Sequence, residues 1–159
     1  MVAELWPSIE QSAIGVAMRS SPFLYPAANV AHILGLMLFF SAVAMMDAKV
    51  LGLFPRVPAG CVLRTGRPLA VGGFLVQATS GSLLFAADAV AIAGNPAFRL
   101  KMLMVLLGLT NVVVLECVYG RRLRTAIPIA PPLGARVCAG LSLAGWAATA
   151  TLGRLIAYI

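Results

Sequence analysis

Four long stretches of this chain contain no aspartate, glutamate, lysine or arginine. They cover residues 20–46, 68–87, 102–115 and 137–153. A helix needs about 20 mostly apolar residues to cross the hydrocarbon core of a bilayer. Hydrophobic residues make up 61% of the chain and charged residues only 11%, whereas about a quarter of the residues in a soluble domain are charged. We therefore expect an all-α integral membrane protein with a bundle of four transmembrane helices.

Turn-forming residues set the expected limits of these helices within a single membrane domain, 1–159. The expected spans are about 26–53, 68–93, 96–119 and 133–157, after a short amphipathic helix at about 7–19. That helix is expected to lie at the membrane interface, with Trp6 as an anchor. Pro68 is expected to open the second span. Gly94, Asn95 and Pro96 resemble a helix stop, an N-cap and a first-turn proline, which predicts a tight hairpin between spans two and three.

The basic residues are distributed unevenly between the two sides of this bundle. Most of them follow the first and third spans: Lys49, Arg56, Arg64, Arg67, Arg121, Arg122, Arg124 and Arg136. Because cytoplasmic loops carry an excess of lysine and arginine, both basic loops are predicted to face the cytoplasm and both termini the periplasm. The net charge of +7 lies beside apolar spans and not among aromatic residues, so no nucleic-acid partner is predicted.

Polar side chains of all four spans fall at a similar depth near the predicted periplasmic side. These residues are Asn29, His32, Asp88, Lys101 and Arg154. An ionisable group in lipid costs about 2.5–3.5 kcal/mol on insertion scales, so such groups normally face the bundle interior and find partners. On a structural reading, Asp88 pairs with Lys101 or Arg154, and His32 hydrogen-bonds Asn29 or the backbone. On a functional reading, the cluster binds a haem, a metal ion, a quinone headgroup or a small anion.

His32 is the only histidine in the chain, which limits the cofactors that the cluster can hold. Bis-histidine haem b would need a second protomer or another subunit, unless Met102 serves as an unlike axial ligand. Lys101 and Arg154 would then neutralise the haem propionates. Copper is the alternative to haem iron, since His32 and methionine thioethers are suitable ligands for Cu(I). The cofactor therefore stays open between haem b, copper and none.

Two further sets of polar residues lie deeper in the predicted bundle. Gln77 and Asn111 fall near the midplane, where hydrogen bonds between helices, about 0.6 kcal/mol each, account for them. No acidic residue is expected at the midplane, which argues against a proton or solute path. Asp47 and Glu116 are expected to form interfacial ion pairs with Lys49 and the arginines at the cytoplasmic side.

Small residues recur at helical spacing and predict close helix contacts. Gly73 and Gly81 flank Gln77 in the second span. The fourth span carries two rows, which consist of Gly140, Ala144 and Ala148, and of Gly145, Thr149 and Gly153. Helices in lipid associate through such close packing. We expect these rows to pack within the chain, with a dimer face as the alternative.

Several short runs resemble an uncharacterised family of small bacterial four-helix inner-membrane proteins. They are Ser21-Pro22, Tyr25-Pro26, HILG at 32–35, DAKVLG at 47–52, NPAFRLK at 95–101, and Asn111. The resemblance implies four spans in a bacterial inner membrane, a histidine early in the first span and a lysine early in the third, with no established activity. His32 followed by Gly35 is also similar to copper-resistance and cytochrome-b-like four-helix membrane domains, which use further histidines that this chain lacks.

No catalytic signature such as G-x-S-x-G, H-E-x-x-H or a phosphate-binding loop occurs in the sequence, so an enzyme acting alone is not expected. The first hypothesis is a non-catalytic integral subunit of a bacterial inner-membrane assembly, in contact with other membrane subunits or a second copy, that contributes a periplasm-side polar site. The alternative is a haem- or copper-binding electron-transfer protein that uses His32. A small-solute transporter or channel with a polar path past Gln77 and Asn111 is the third hypothesis.

Overall fold

The computed structural model describes residues 2–124 and 131–156, and the regular elements in these ranges are helices. They are α1 (Val2–Glu10), α2 (Ala13–Ser20), α3 (Leu24–Leu51), α4 (Ala59–Ala87), α5 (Ala89–Gly94), α6 (Pro96–Val114), α7 (Gly120–Arg124) and α8 (Leu133–Leu155). A π-helical turn, Leu115–Tyr119, joins α6 to α7. The last residue of the predicted fourth span, Ala157, lies outside the described residues.

Three helical segments are long and apolar enough to cross a membrane. They are Leu24–Leu51, Ala59–Ala87 and Pro96–Leu123, the last of which combines α6, the π-helical turn and most of α7. At 1.5 Å per residue each is about 42 Å long, more than the roughly 30 Å hydrocarbon core requires. Many of their large apolar side chains point outward, which is compatible with lipid contact. Although α8 has 23 residues, it falls outside this apolar class, because Arg136 and Arg154 lie near its ends and its glycine, serine and threonine residues lower the mean hydropathy.

The long helices form an arc in the order α4, α3, α8, α6. α3 packs against α4 on one side and α8 on the other, and α6 packs against α8. In the described residues no α carbon of α4 lies within 8 Å of one of α6, so these two helices do not pack closely and the arc is open between them. One end of the bundle, here called the terminal end, carries α1, α2, α5 and the C-terminus of α8. The other, the basic end, carries the cluster of Val50, Leu63, Leu123, Ala135 and Ala139.

Glycines allow α3 and α4 to approach each other closely. A Cβ atom on Gly73 would lie 2.5 Å from the backbone nitrogen of Phe39, and one on Gly35 would lie 2.9 Å from that of Gln77. Neither position has room for a larger residue unless the helices separate. The prediction that Gly73 packs within the chain is confirmed.

The glycine rows of α8 behave differently from Gly73. Nothing lies within 4 Å of a Cβ placed on Gly140 or Gly145, and Ala144 and Ala148 are exposed. The prediction that the row Gly140, Ala144 and Ala148 packs within the chain is wrong. The buried face of α8 is instead formed by Ala135, Ala139, Ser142, Trp146 and Thr149.

The second long helix begins nine residues before the predicted start. α4 starts at Ala59, so Pro68 lies inside the helix and does not open it. The backbone at Pro58 is extended, and its carbonyl accepts from the N–H of Cys61 and of Val62. Pro58 therefore occupies the N-cap position expected near Pro68. At its far end α4 stops at Ala87, and Asp88 separates it from the short α5.

The N-terminal segment forms two helices, where a single one was expected. The Ser12 side chain accepts from the backbone N–H of Gly15 at 3.2 Å and thereby caps α2. Both helices fold onto the terminal end of α4 and α5. Arg19 donates to the Ala87 carbonyl at 2.9 Å, and a Glu10 carboxylate oxygen accepts from the Val90 N–H at 3.0 Å. These contacts dock both helices on α4 and α5.

The hairpin predicted from Gly94, Asn95 and Pro96 is present. The Asn95 side chain accepts from the N–H groups of Ala97 and Phe98, at 2.8 and 3.3 Å, and Pro96 occupies the first turn of α6. The predicted cap is confirmed.

Replacing Asn95 with alanine is expected to destabilise the protein by about 0.5–2 kcal/mol, because two N–H groups of α6 lose their acceptor. Denaturant titration in detergent measures this change. Asn95→Ser, which keeps an acceptor oxygen, is the control and should retain most of the stability. Equal losses in both variants would contradict the capping role.

Asp47 and Glu116, which were both predicted to form interfacial ion pairs, differ in their surroundings near the basic end. Glu116 forms an ion pair with Arg67, which links the π-helical turn to α4. Asp47 is 4% exposed and bonds to Ser142 of α8, so it is a buried residue. Lys49 donates to the Phe54 carbonyl at 2.8 Å. The prediction of an interfacial ion pair is therefore wrong for Asp47.

Candidate functional site

A cavity of about 710 Å³ lies between the long helices in the terminal half of the bundle. On α3 its lining runs from Asn29 to Phe40, and on α4 from Phe74 to Phe85. Eleven residues of helix correspond to about 16 Å, so the cavity reaches roughly half-way through a bilayer-sized bundle. Its volume falls within the range of small-molecule sites, about 300–1,000 Å³.

Most of the site residues predicted from the sequence line this one cavity. They are Asn29, His32, Gln77, Lys101, Met102 and Arg154, which come from all four long helices. The other two lie elsewhere. Asp88 is exposed in the break between α4 and α5, and Asn111 donates to the Cys138 carbonyl at 2.9 Å, which ties α6 to α8.

His32 is held by two hydrogen bonds to α4. The Ser80 hydroxyl donates to the Val76 carbonyl at 2.6 Å, so it accepts from His32 Nδ1–H at 3.1 Å. His32 Nε2 lies 3.1 Å from the Gln77 amide nitrogen and therefore acts as an acceptor. With the amide in this orientation, the contacts correspond to a neutral imidazole that carries its proton on Nδ1. The partners are thus Ser80 and Gln77, where Asn29 or the backbone was expected.

Gly81 leaves the space that the imidazole occupies. A Cβ atom at this position would lie 2.9 Å from His32 Cε1. Gly81→Ala is therefore expected to displace the ring and weaken at least one of its two hydrogen bonds. Because His32 is the only histidine, ¹⁵N-histidine NMR reports it alone, with a protonated Nδ1 and an unprotonated Nε2 in the parent protein. Gly72→Ala, which meets no atom within 4 Å, is the control and should leave this spectrum unchanged.

The charged residues among the described lining of the cavity are all basic. Lys101 extends across α8 at Gly153, where a Cβ atom would lie 3.3 Å from Lys101 Nζ. In residues 2–124 and 131–156 no carboxylate lies within ion-pair distance of Lys101. Arg154 lines the cavity one residue further along α8, and within the same ranges no aspartate or glutamate joins the lining. The polar end of the cavity is therefore suited to a group that carries negative charge or accepts hydrogen bonds.

Aromatic rings form the deep wall of the cavity. The Phe39 ring packs edge-to-face on Trp146, with centroids 4.6 Å apart, and lies 5.7 Å from Phe74. Gly108 of α6 makes room for the indole, because a Cβ there would lie 2.7 Å from Trp146 Cζ2. This aromatic layer separates the cavity from buried Asp47, which lies two helical turns further along α3 than Phe39.

Further aromatic rings lie at the terminal end. Phe85 of α4 stacks on Phe98 of α6 at 5.3 Å, and Trp6 packs edge-to-face on Phe85 at 5.7 Å. Trp6, expected as a membrane anchor, thus lines the cavity. The aromatic lining was not predicted. A signal was present, since only 8% of the chain is aromatic and Phe39 and Phe40 lie two helical turns from His32.

Two buried polar atoms of the lining have no hydrogen-bond partner among the described residues. They are the Gln77 amide oxygen, an acceptor, and the Trp146 indole nitrogen, a donor. A buried polar group without a partner is costly, about 1–3 kcal/mol, and commonly marks a position where a ligand or water completes the bond. Both atoms are enclosed by neighbouring protein atoms, so neither of them faces the open space of the cavity.

In the described part of the chain no three His, Cys, Asp or Glu side chains are grouped as metal ligands. Comparisons with protein-family models, curated proteins and solved structures found no match to this chain. The resemblance to small bacterial inner-membrane proteins therefore stays an expectation, and the chemistry of the cavity carries the functional argument.

Proposed function

We propose that this protein is a non-catalytic integral subunit of a bacterial inner-membrane assembly, whose cavity holds an amphipathic ligand at the periplasmic side. One observation carries the proposal. A cavity of cofactor size combines an apolar aromatic wall with basic and amide side chains from four helices. Such a surface matches a molecule that has a large apolar body and a polar or anionic head.

The membrane arrangement in this proposal has four spans, with α8 as the fourth, and both termini in the periplasm. The three long apolar segments support membrane insertion, and the clustered arginines of the basic end support its orientation towards the cytoplasm. The least apolar of the four helices, α8, packs against both α3 and α6 and is thereby partly shielded from lipid. Accessibility of single cysteines to a membrane-impermeant reagent in intact cells tests this topology.

A binding role is favoured over catalysis by the state of His32. Both ring nitrogens of His32 form hydrogen bonds with α4. Apart from His32, the group of the described lining that is suited to acid or base chemistry is the Lys101 side chain. Among the described residues, the lining includes no cysteine or carboxylate that would act as a nucleophile. His32 therefore serves to join α3 and α4 at the polar end of the cavity.

The outward row of Gly140, Ala144 and Ala148 supports the assembly part of the proposal. Small residues on a lipid-facing surface allow another helix to approach closely. The matching test is Ala144→Leu, which should release the partner subunit or second copy in cross-linking experiments. Leu141→Ala, on an exposed neighbouring position of α8, is the control.

The experiment that tests the ligand-binding role is purification in mild detergent followed by mass spectrometry of the bound molecules. Ala150→Phe, which adds a ring inside the cavity, should remove the bound molecule, while Val113→Phe on the exposed face of α6 should retain it. A ligand-free parent protein, or an equal yield of ligand from both variants, would contradict the proposal.

Haem binding is a second candidate, because His32, Met102, Lys101 and Arg154 line the same cavity. Iron coordination by His32 would require Nε2 to release the Gln77 amide. A Soret band in the purified protein that disappears in His32→Ala would support it. Copper coordination by His32 would likewise require Nε2 to release the Gln77 amide. A transporter has less support. The aromatic layer closes the deep wall of the cavity, and Asn111, predicted on the polar path, donates a hydrogen bond to the Cys138 carbonyl.

A further inference from the structure

The open side of the helix arc gives the cavity a direct connection with the surroundings of the bundle. α4 and α6 contribute two of the cavity walls, through Ala78 and Gly81 on one side and Lys101 and Met102 on the other. Between these walls no described α carbon of α4 lies within 8 Å of one of α6, and the lining residues Ala78 and Met102 are exposed, which leaves a slot. In a bilayer this slot faces the acyl chains.

Two contacts set the ends of the slot. At the terminal end the stacked rings of Phe85 and Phe98 connect α4 with α6. At the basic end the ion pair between Arg67 and Glu116 connects α4 with the π-helical turn. The opening therefore lies on the side of the bundle, between these contacts, and is bordered by apolar residues such as Ala78 and Met102.

We propose that the occupant of the cavity is an anionic membrane lipid, one chain of which enters sideways through the slot between α4 and α6. This inference rests on the proposed function and names its ligand class. The chain lies against the aromatic wall of Phe39, Phe74 and Trp146, and the anionic headgroup is placed beside Lys101. Charge complementarity selects the headgroup, because the charged side chains of the described lining are basic.

The Lys101 side chain argues against a purely hydrocarbon occupant. Among the described residues no carboxylate lies within ion-pair distance of its ammonium group. A hydrocarbon would leave this group without a partner inside the cavity, whereas an anionic headgroup supplies one.

Tryptophan fluorescence tests the inference directly, because the chain has two tryptophans and Trp6→Phe leaves Trp146 as the single tryptophan. The Trp6→Phe protein is reconstituted in phosphatidylcholine vesicles that contain chain-brominated phosphatidylglycerol or, at equal bromine content, chain-brominated phosphatidylcholine. We expect the anionic lipid to quench Trp146 at least twofold more strongly. Lys101→Gln should abolish this preference, and Lys101→Arg should retain it.

A second pair of variants tests the route of entry. Ala78→Phe narrows the slot and should reduce quenching by both lipids, whereas Val113→Phe, on the exposed face of α6, should not. Equal quenching by the two lipids, or no effect of Ala78→Phe, would overturn the inference. Loss of the preference on addition of inorganic phosphate, at ionic strength matched with chloride, would identify a soluble anion as the occupant and would overturn it too.

Failure of this inference is distinguishable from failure of the proposed function. A soluble or haem-type ligand found by mass spectrometry, together with equal quenching by both lipids, would remove the lipid and keep the binding role. A protein that is free of any ligand and shows equal quenching would remove both.

Discussion

Gly73→Ala is expected to be among the most destabilising single-methyl additions in this protein. The added Cβ would lie 2.5 Å from the Phe39 nitrogen and 2.8 Å from its Cα, and both are backbone atoms that cannot rotate away. α3 and α4 would have to separate along their whole contact. Overpacking of this kind typically costs about 1–3 kcal/mol. In lipid, where helices are held together mainly by close packing, we expect the upper part of this range.

The adjacent residue provides the control for Gly73. Gly72 lies in the same helix, and a Cβ there meets no atom within 4 Å. Gly72→Ala should therefore be neutral or stabilising by up to about 1 kcal/mol, because alanine is the better helix former. Unfolding in mixed micelles, followed by circular dichroism, measures both variants. Similar stabilities of the two would contradict the close approach of α3 and α4.

Trp146→Ala is the second change with a large expected effect. The indole is 5% exposed and contacts Phe39 and Gly108. Tryptophan-to-alanine changes in soluble cores cost about 3–5 kcal/mol. The cost in a bilayer should be smaller, because the separated helices remain in lipid, but the lost packing still opens the deep wall of the cavity.

Trp146→Phe separates the packing role of the ring from its hydrogen-bonding capacity. Phenylalanine keeps a ring against Phe39, and the lost N–H has no partner among the described residues. The stability of the ligand-free protein should therefore change by less than half as much as in Trp146→Ala. A Trp146→Phe protein as unstable as Trp146→Ala would contradict the packing explanation.

The long helices and one turn were predicted well from the sequence, because those features depend on local chemistry. Charge-free stretches identify apolar helices, and the cap formed by Asn95 before Pro96 involves only neighbouring residues. The start of α4 was missed because Pro58 and Pro68 both suit the N-terminal end of a helix, and local preference does not distinguish them. The break between α1 and α2 depends on the docking of these short helices on α4 and α5.

Part of the candidate site was predicted, namely the depth of its polar residues in the bundle. Depth along a helix follows from residue counting, and this placed His32, Lys101 and Arg154 at one level before any contact was known. The direction of a side chain around the helix is harder to infer, since α3 and α6 are apolar on all sides and lack a periodic pattern. The aromatic wall was therefore missed. Asp88 was misjudged because the helix ends one residue before it.

The π-helical turn at Leu115–Tyr119 determines where the third long segment can lose a residue without disturbing the bundle. A π-helical turn holds about one residue more than an α-helical turn, so it absorbs that residue locally and leaves the direction of the side chains beyond it nearly unchanged. Deleting one residue of the turn should therefore restore a regular helix and keep Leu123 in its buried place against Val50 and Ala135. A deletion within α6 itself would rotate Leu123 by about 100° relative to Lys101, which makes the π-helical turn the place where a single-residue deletion is best tolerated.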